Sequence, residues 1–324
     1  LRGRGVGGSS LVNAMVALDA SADLMPGCTR AEVAAARRRV AVSTEVVGDD
    51  ELGPVDRALA AAAPDTERAV LTRIHGRRHT SADAYLVPAA SRRNVRLVTD
   101  TTVDRVVLHG RRAVGVVTAA GERIDADHVV VSAGAIHTPA ILLRSGIDTP
   151  GVGVGLQDHP SVTFTLRLRP ECRRPRGLAI GSLLRRGPTQ VLPMNHVGAD
   201  AGPFGALLVA HMAPRGRAGR VALASADPNE HPIVDLALLD DPHDRQAMTA
   251  AARFGVELLD SPPFSDIAES VHVNAVGTPL SSLHDDAAIE RWVETSVGDY
   301  VHATGTCAMG TVVDDDGAVV DYDR

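Results

Sequence analysis

The clearest alternation of apolar and polar positions lies between residues 94 and 125. Asn94-Val95-Arg96-Leu97-Val98-Thr99 alternates, Val103 to Leu108 follows, His109-Gly110 makes a turn, and Ala113 to Thr118 returns. Ala120-Gly121 then turns the chain into Arg123-Ile124-Asp125, so the stretch predicts a small antiparallel meander. Val129-Val130-Val131 is short and wholly apolar, the pattern of a strand buried on both faces. After Ser132-Ala133-Gly134-Ala135 come Thr138 and Pro139, an N-cap and a first-turn proline that open a helix from Ala140 to Ser145, closed by Gly146. Strand, glycine turn and helix in that order are the local form of a nucleotide-binding α/β sheet, where ligands sit beyond the strand's carboxyl end.

Helix signals frame this stretch. Thr29 with Glu32 reads as a capping box opening a helix through Arg39. Pro54 starts an alanine-rich helix to about Ala63. Pro150 to Pro160 is rich in Gly and Pro and reads as loop. Between 161 and 240, strand-like runs (Val162 to Leu168, Gly205 to Met212, Arg220 to Ser225) alternate with turns. Asp241-Pro242 caps a long helix to about Leu259, and Asp285-Asp286 opens another to Val297. Composition shifts near Pro160 and Leu283 suggest an inserted second domain, with 1–160 and 285–324 forming one domain and 161–284 the other.

Composition narrows the class. In 324 residues, 44% are hydrophobic and 23% charged, which is globular and excludes a disordered chain. Aromatic residues make up only 2%, so the core is built from Val, Leu, Ile and Ala. The chain has no lysine, and its net charge of −7 argues against a nucleic-acid binder, which needs a basic field. Cys28, Cys172 and Cys307 are scattered and odd in number, so neither a disulfide framework nor a structural zinc site is expected. A reducing cytoplasm fits best, with peripheral attachment of a longer form to a membrane left open. No run of about 18 apolar residues marks a transmembrane helix. The chain opens on Leu1 rather than Met and stops at Arg324 directly after a strand-like run, so both ends read as cut.

Four motifs carry candidate chemistry. Gly5-Val6-Gly7-Gly8-Ser9-Ser10-Leu11-Val12-Asn13 is a loop whose glycines let backbone approach a ligand and expose N–H groups to it. Alone it is equally an ordinary tight turn, and with no strand before it it is not a dinucleotide fingerprint. The second motif is Val130 to Ile136, the third Gly155-Leu156-Gln157-Asp158-His159-Pro160. The fourth runs from Tyr300-Val301-His302-Ala303-Thr304-Gly305-Thr306-Cys307 to Gly310. A histidine before a small-residue loop can serve as a base held against a planar cofactor. Three other features have plainer readings. His75-x-x-x-His79 reads as a solvated loop rather than a metal pair. Arg37-Arg38-Arg39 reads as an exposed helix face. Asp314-Asp315-Asp316-Gly317 reads as a turn, because no Glu completes a calcium loop.

In this order and spacing the motifs resemble the glucose–methanol–choline (GMC) family of flavin oxidoreductases. That family reads G-R-x-L-G-G-S-S-x-x-N-x-M, then T-S-x-x-x-Y-L-x-P (Thr80 to Pro88 here), R-x-N-V (Arg92 to Val95), S-A-G-A-I-x-T-P, L-x-D-H-P and H-x-x-G-T. The resemblance covers essentially the whole chain. The short, arginine-only sequence looks like actinobacterial members, including those encoded beside the mycofactocin redox peptide. It implies a mixed α/β fold: a partial FAD-binding, Rossmann-like domain with a second antiparallel-sheet substrate domain.

It also implies oxidation of an alcohol to the carbonyl. His302 would take the hydroxyl proton while the carbinol hydride passes to flavin N5. Histidine suits that task because the proton is too weakly acidic to leave unaided. FAD would be bound non-covalently, since no histidine lies in the glycine loop. Gly5, Gly7, Gly8, Ser9, Asn13, Ala14 and Val16 would line the flavin, Val103 would meet the adenine end through its backbone, and Gly134 would lie near the cofactor. The partners implied are a small-molecule alcohol and an electron acceptor that is a quinone, a redox peptide or oxygen. The family's strand–glycine–helix unit for the FAD pyrophosphate and its late second His or Asn do not occur in the chain. A fragment that does not hold FAD is therefore one expectation. Hydroxynitrile-lyase-like activity on the same scaffold is another alternative. Residues 161–284 offer no aromatic cage, which argues against a quaternary ammonium substrate such as choline.

Overall fold

The computed structural model describes residues 2–19, 28–174, 177–197 and 202–323. Leu1 and Arg324, the ends that read as cut, lie outside them. The fold is mixed α/β with several antiparallel pairings, and it divides into two compact units. One comprises Leu1–Thr99, Thr163–Val209 and Ala252–Ala288; the other comprises Asp100–Val162, Ala210–Ala251 and Ile289–Arg324.

The first unit is built on a six-stranded sheet. Its strand order is Ala268–His272, Ser161–Leu168, Phe204–His211, Thr189–Met194, Ser182–Arg186 and Glu67–Arg68. In Ser161–Leu168 the side chains of Phe164, Leu166 and Leu168 are fully buried while Thr163 and Arg167 are exposed, as period-2 alternation requires. Phe204–His211 is buried almost throughout, as befits a strand inside the sheet order. The hairpin Ser182–Arg186/Thr189–Met194 has no counterpart in the elements expected from the pattern; its turn is made by Gly187, at φ +56°, and Pro188. At Gly255 the helix Pro242–Leu259 approaches this sheet so closely that a Cβ would lie 2.8 Å from Phe164 and 3.0 Å from Val209. That approach explains a glycine in a helix interior, which otherwise costs about 1 kcal/mol relative to Ala.

Two helices in this unit begin as expected. Thr29 and Glu32 close the capping box of Arg30–Arg39, whose arginines are exposed. The helix Pro54–Ala62 has a cap the sequence does not announce: Asn195 Oδ1 accepts the N–H groups of Val55 and Asp56 at 3.0 and 3.3 Å. The buried Asp56 carboxylate in turn accepts from Gly53, Gly181, Ser182 Oγ and Asn195 Nδ2 at 2.9, 3.0, 2.7 and 2.5 Å. A Cβ at Gly53 would fall 2.1 Å from Asn195, so only glycine admits this cap.

The second unit carries the meander. Val103–His109, Arg112–Thr118 and Arg123–Asp125 pair antiparallel in that order. The helix Gly134–Arg144 lies against Val103–His109, tied by Arg144 Nε to Asp104 Oδ1 at 3.1 Å and by Ser145 Oγ, which accepts the Val106 N–H at 2.8 Å. Its C-terminus is a Schellman motif. Gly146 sits at φ +74° with its N–H on Leu143 O, and the Ile147 N–H reaches Leu142 O, all at 3.0–3.1 Å. Leu142 and Ile147 then join Val152 and Val312 in a buried cluster. Within Pro150 to Pro160, expected as loop, Val154–Leu156 forms a strand beside Gly219–Ala222 and Ile233–Asp235.

Three expectations are corrected. Asn94–Thr99 alternates but forms no strand, and its side chains are exposed. Val129–Val131 is not a strand either, and Val130 is 87% exposed. An apolar run becomes a buried strand only where neighbours supply a hydrogen-bond ladder, and no described residue pairs with either run. The helix expected at Thr138-Pro139 starts earlier, at Gly134, which leaves Pro139 inside it. The carbonyl that Pro139 cannot bond, Ala135 O, accepts the Thr306 hydroxyl at 2.6 Å instead.

Candidate active site

The glycine loop belongs to the first unit. Gly5, Gly7 and Gly8 have φ of +154°, +105° and +54°, and Gly8–Leu11 forms a single 3-10 turn. Ser9 Oγ accepts the Gly3 N–H at 3.2 Å. Ser10 Oγ donates to Gly7 O at 2.5 Å and accepts from the Ser81 N–H at 3.1 Å, and Ser81 Oγ also reaches Gly7 O at 3.1 Å. Thus Ser81 of Thr80-Ser81 clamps the glycine loop, which gives that motif a structural task.

A second clamp has no motif of its own. Arg78 donates to Asn13 Oδ1 at 2.5 Å, to Ser10 O at 3.1 Å and to Asn13 O at 2.8 Å. It stands on the hairpin Arg73–Ile74/Arg77–Arg78, whose turn holds His75 and Gly76, so the His75-x-x-x-His79 pair is not on a helix. The buried Arg73 anchors that hairpin by a two-point bond to Glu51 at 2.6 and 2.7 Å, which holds the Glu51 carboxyl down at about 2. Arg78 fixes the Asn13 amide oxygen, and so directs its NH₂ donors away from the clamp. Ala14 is exposed, Met15 sits at φ +63°, and Val16 bridges to Leu71.

Val103, Gly134 and His302 belong to the second unit. Val103 opens its strand opposite Thr118. Gly134 starts its helix at φ +81°, and a Cβ there would meet nothing within 4 Å, so that helix N-terminus faces open space. The turn bearing His302 is fastened to the Gly155–Pro160 segment. Gln157 and Thr304 exchange N–H···O bonds at 2.9 Å, and a Cβ at Gly305 would fall 2.2 Å from Gly155 O. The buried carboxylate of Asp158 accepts the His302 N–H at 2.9 and 3.0 Å and the His159 N–H at 2.7 Å. Val301, just before the histidine, is at φ +60°, a conformation costly for a β-branched residue.

Around the exposed His302 ring stand Tyr300 and His159, with centroids at 4.8 and 5.6 Å and edge-to-face tilt. His159 Nδ1 is buried without a hydrogen-bond partner, and burial, reinforced by the His302 charge, holds its pKa below the ordinary histidine value. Burial pushes the Cys307 thiol up, as suits a packing role in the Leu142 cluster rather than a nucleophile. The Asp314 side chain accepts the N–H groups of Asp316 and Ala318, closing a turn as expected.

The first unit thus holds a glycine loop clamped by Ser10 and Ser81, and the second a braced turn that presents a histidine. The chain belongs to the GMC oxidoreductase family, whose N- and C-terminal family models match residues 55–161 and 214–324. It is 34% identical to an uncharacterized GMC-type oxidoreductase of Rhodococcus erythropolis, over 76% of this chain and 52% of that protein. It is 29% identical to a 5-(hydroxymethyl)furfural oxidase of Methylovorus, over 75% of this chain and 52% of the relative. The chain thus spans about half the length of the curated relatives it matches. The crystal structure of pyridoxine 4-oxidase from Mesorbium loti shares the fold, with a TM-score of 0.85 at 23% identity, covering 99% of this chain and 78% of that one. The family is one of FAD-dependent flavoproteins and includes alcohol oxidases and dehydrogenases. Among the described residues no helix is long and apolar enough to cross a membrane.

The residues present suit the flavin end of that cofactor. An isoalloxazine ring presents carbonyl and imine acceptors. The loop offers a donor for such acceptors in the Asn13 amide, whose oxygen Arg78 holds, and leaves room at Gly8, where a Cβ would meet nothing within 4 Å.

Proposed function

We propose that the protein oxidises a small-molecule alcohol to the carbonyl, with His302 as the base. In this reading Gly5, Gly7, Gly8, Ser9, Asn13, Ala14 and Val16 would line the flavin of a non-covalently bound FAD. Val103 would meet its adenine end through backbone, and Gly134 would stand close to it. When bound, FAD supplies the two-electron acceptor for the carbinol hydride. Residues 1–160 and 285–324 serve the cofactor, and 161–284 the substrate.

The observation that carries the reading is how His302 is held. Its backbone N–H is tied to a buried carboxylate, while its ring stands exposed beside Tyr300 and His159. Asp158 accepts backbone N–H groups, so it fixes the position of the residue that carries the imidazole. A neutral ring nitrogen of His302 accepts the hydroxyl proton, and a positioned base of this kind contributes a factor of about 10² to 10⁴. Ser81 and Arg78 act as positioning residues for the loop. All four phenylalanines lie in 161–284; Phe164 and Phe264 are fully buried and Phe254 lies under Arg186, so three of the four are not open to cage a quaternary ammonium.

The test is anaerobic addition of alcohols, 5-(hydroxymethyl)furfural and pyridoxine among them, to the flavin-loaded protein. Bleaching of the flavin band with stoichiometric carbonyl product is expected. Cyanide release from a hydroxynitrile without bleaching would replace this reading by the lyase one, and protein that takes up no FAD would overturn it.

A further inference from the structure

We propose that His211, His243 and Asp244 form a binding site for a divalent transition-metal ion of the zinc class, separate from the His302 turn. All three residues fall in the second unit. His211 ends the strand Phe204–His211, and His243 and Asp244 lie in the first turn of the helix Pro242–Leu259. One ligand atom from each lies within 4.8 Å of the others. Asp244 Oδ1 is 3.5 Å from His211 Nε2 and 3.6 Å from His243 Nδ1. Ligands about 2.0–2.2 Å from a tetrahedral ion stand roughly 3.3–3.6 Å apart along the tetrahedron's edges, so the two Asp244 edges match that geometry, and the two imidazole nitrogens, within 4.8 Å of each other, would draw together on an ion.

Burial makes this more than a chance cluster. The side chains of His211 and Asp244 are each 1% exposed, and neither ring nitrogen of His211 makes a hydrogen bond. His211 Nε2 faces the Asp244 carboxylate at 3.5 Å, too long for a good hydrogen bond, and a buried imidazole so poorly satisfied is rare; ligation would satisfy it. The carboxylate is already oriented as metal ligands are: Asp244 accepts the Arg215 N–H at 2.9 Å and the Gly216 N–H at 2.7 Å. The Asp241 side chain accepts the His243 N–H at 2.7 Å, fixing the turn that aims both residues. The helix N-terminus itself disfavours a cation, so the site depends on its carboxylate and on two neutral imidazoles. Two nitrogens and one carboxylate oxygen select zinc, copper or nickel over calcium or magnesium, and three protein ligands leave a fourth position for water.

The experiment strips the full, tag-free protein with a chelator and titrates it with Co(II) alone, then with Zn(II). One Co(II) per chain is expected, with the intense visible bands of a four-coordinate ion, bleached by one equivalent of Zn(II). His243 is half-exposed, so His243→Ala keeps the fold, as far-UV circular dichroism should verify. This variant should bind Co(II) more than about a hundredfold more weakly, whereas His284→Ala, at another exposed histidine, should bind as the parent does. Absence of the bands in the parent protein, or equal binding by His243→Ala, would overturn the proposal and leave His211 and Asp244 a plain buried pair.

Discussion

Two groups in the second unit use the same residue types for opposite ends. Asp158 turns its carboxylate to backbone, accepting the N–H of His159 and of His302, and the His302 ring is left exposed. Asp244 also accepts two backbone N–H groups, but it keeps Oδ1 within 3.6 Å of two imidazoles, one of them fully buried. The first arrangement holds the His302 turn in place with its ring exposed. The second concentrates a negative charge on imidazole nitrogens. Where a carboxylate spends its oxygens therefore decides what a neighbouring histidine can do.

The comparison can be broken by removing either carboxylate. Asp244→Ala orphans two buried N–H groups and should cost about 3 kcal/mol in urea unfolding, together with all Co(II) binding. Asp158→Ala should slow flavin reduction by alcohol about a hundredfold, roughly 2.7 kcal/mol, by loosening the turn, while leaving Co(II) binding intact. If each variant lost both properties, the two groups would not be independent.

Smaller changes sharpen it. Val301→Gly relieves a left-handed β-branched residue, so stability should rise by about 1 kcal/mol while the His302 turn loosens and the rate falls. Glycine at His243, in a helix, should bring no such gain. His159 faces Asp158, Tyr300, His302 and His211, and burial lowers its folded pKa below 6.5. The unfolded chain therefore takes up that proton first, so stability falls as pH drops below about 6.5, by less than about 1.4 kcal/mol per unit. Chelator-treated His159→Leu should lose that part of the slope.

What was legible in the sequence was local. Thr29 with Glu32, Pro54, the turns of the meander and Asp241-Pro242 each carry their signal within four residues, and each produced the element expected. His302 and the glycine loop were legible through motif order. What was missed depends on partners far along the chain. Asn195 caps a helix some 140 residues away, Arg78 reaches back to Asn13, and neither bond leaves a trace in periodicity. Val129–Val131 shows the converse: its pattern is that of a strand, but pattern supplies no ladder. His211 was hidden because a single histidine in an apolar run reads as core until the helix bearing His243 and Asp244 is placed beside it.

In the flavin-loaded protein, His302→Asn keeps a side chain of similar size and polarity without a base in the physiological range. Anaerobic stopped-flow reduction by alcohol should slow by about 10² to 10⁴ at neutral pH, with the rise of rate through the histidine range abolished and FAD affinity kept within about threefold. A variant that reduces its flavin at the parent rate, with the parent pH profile, would contradict the assignment of His302 as the base.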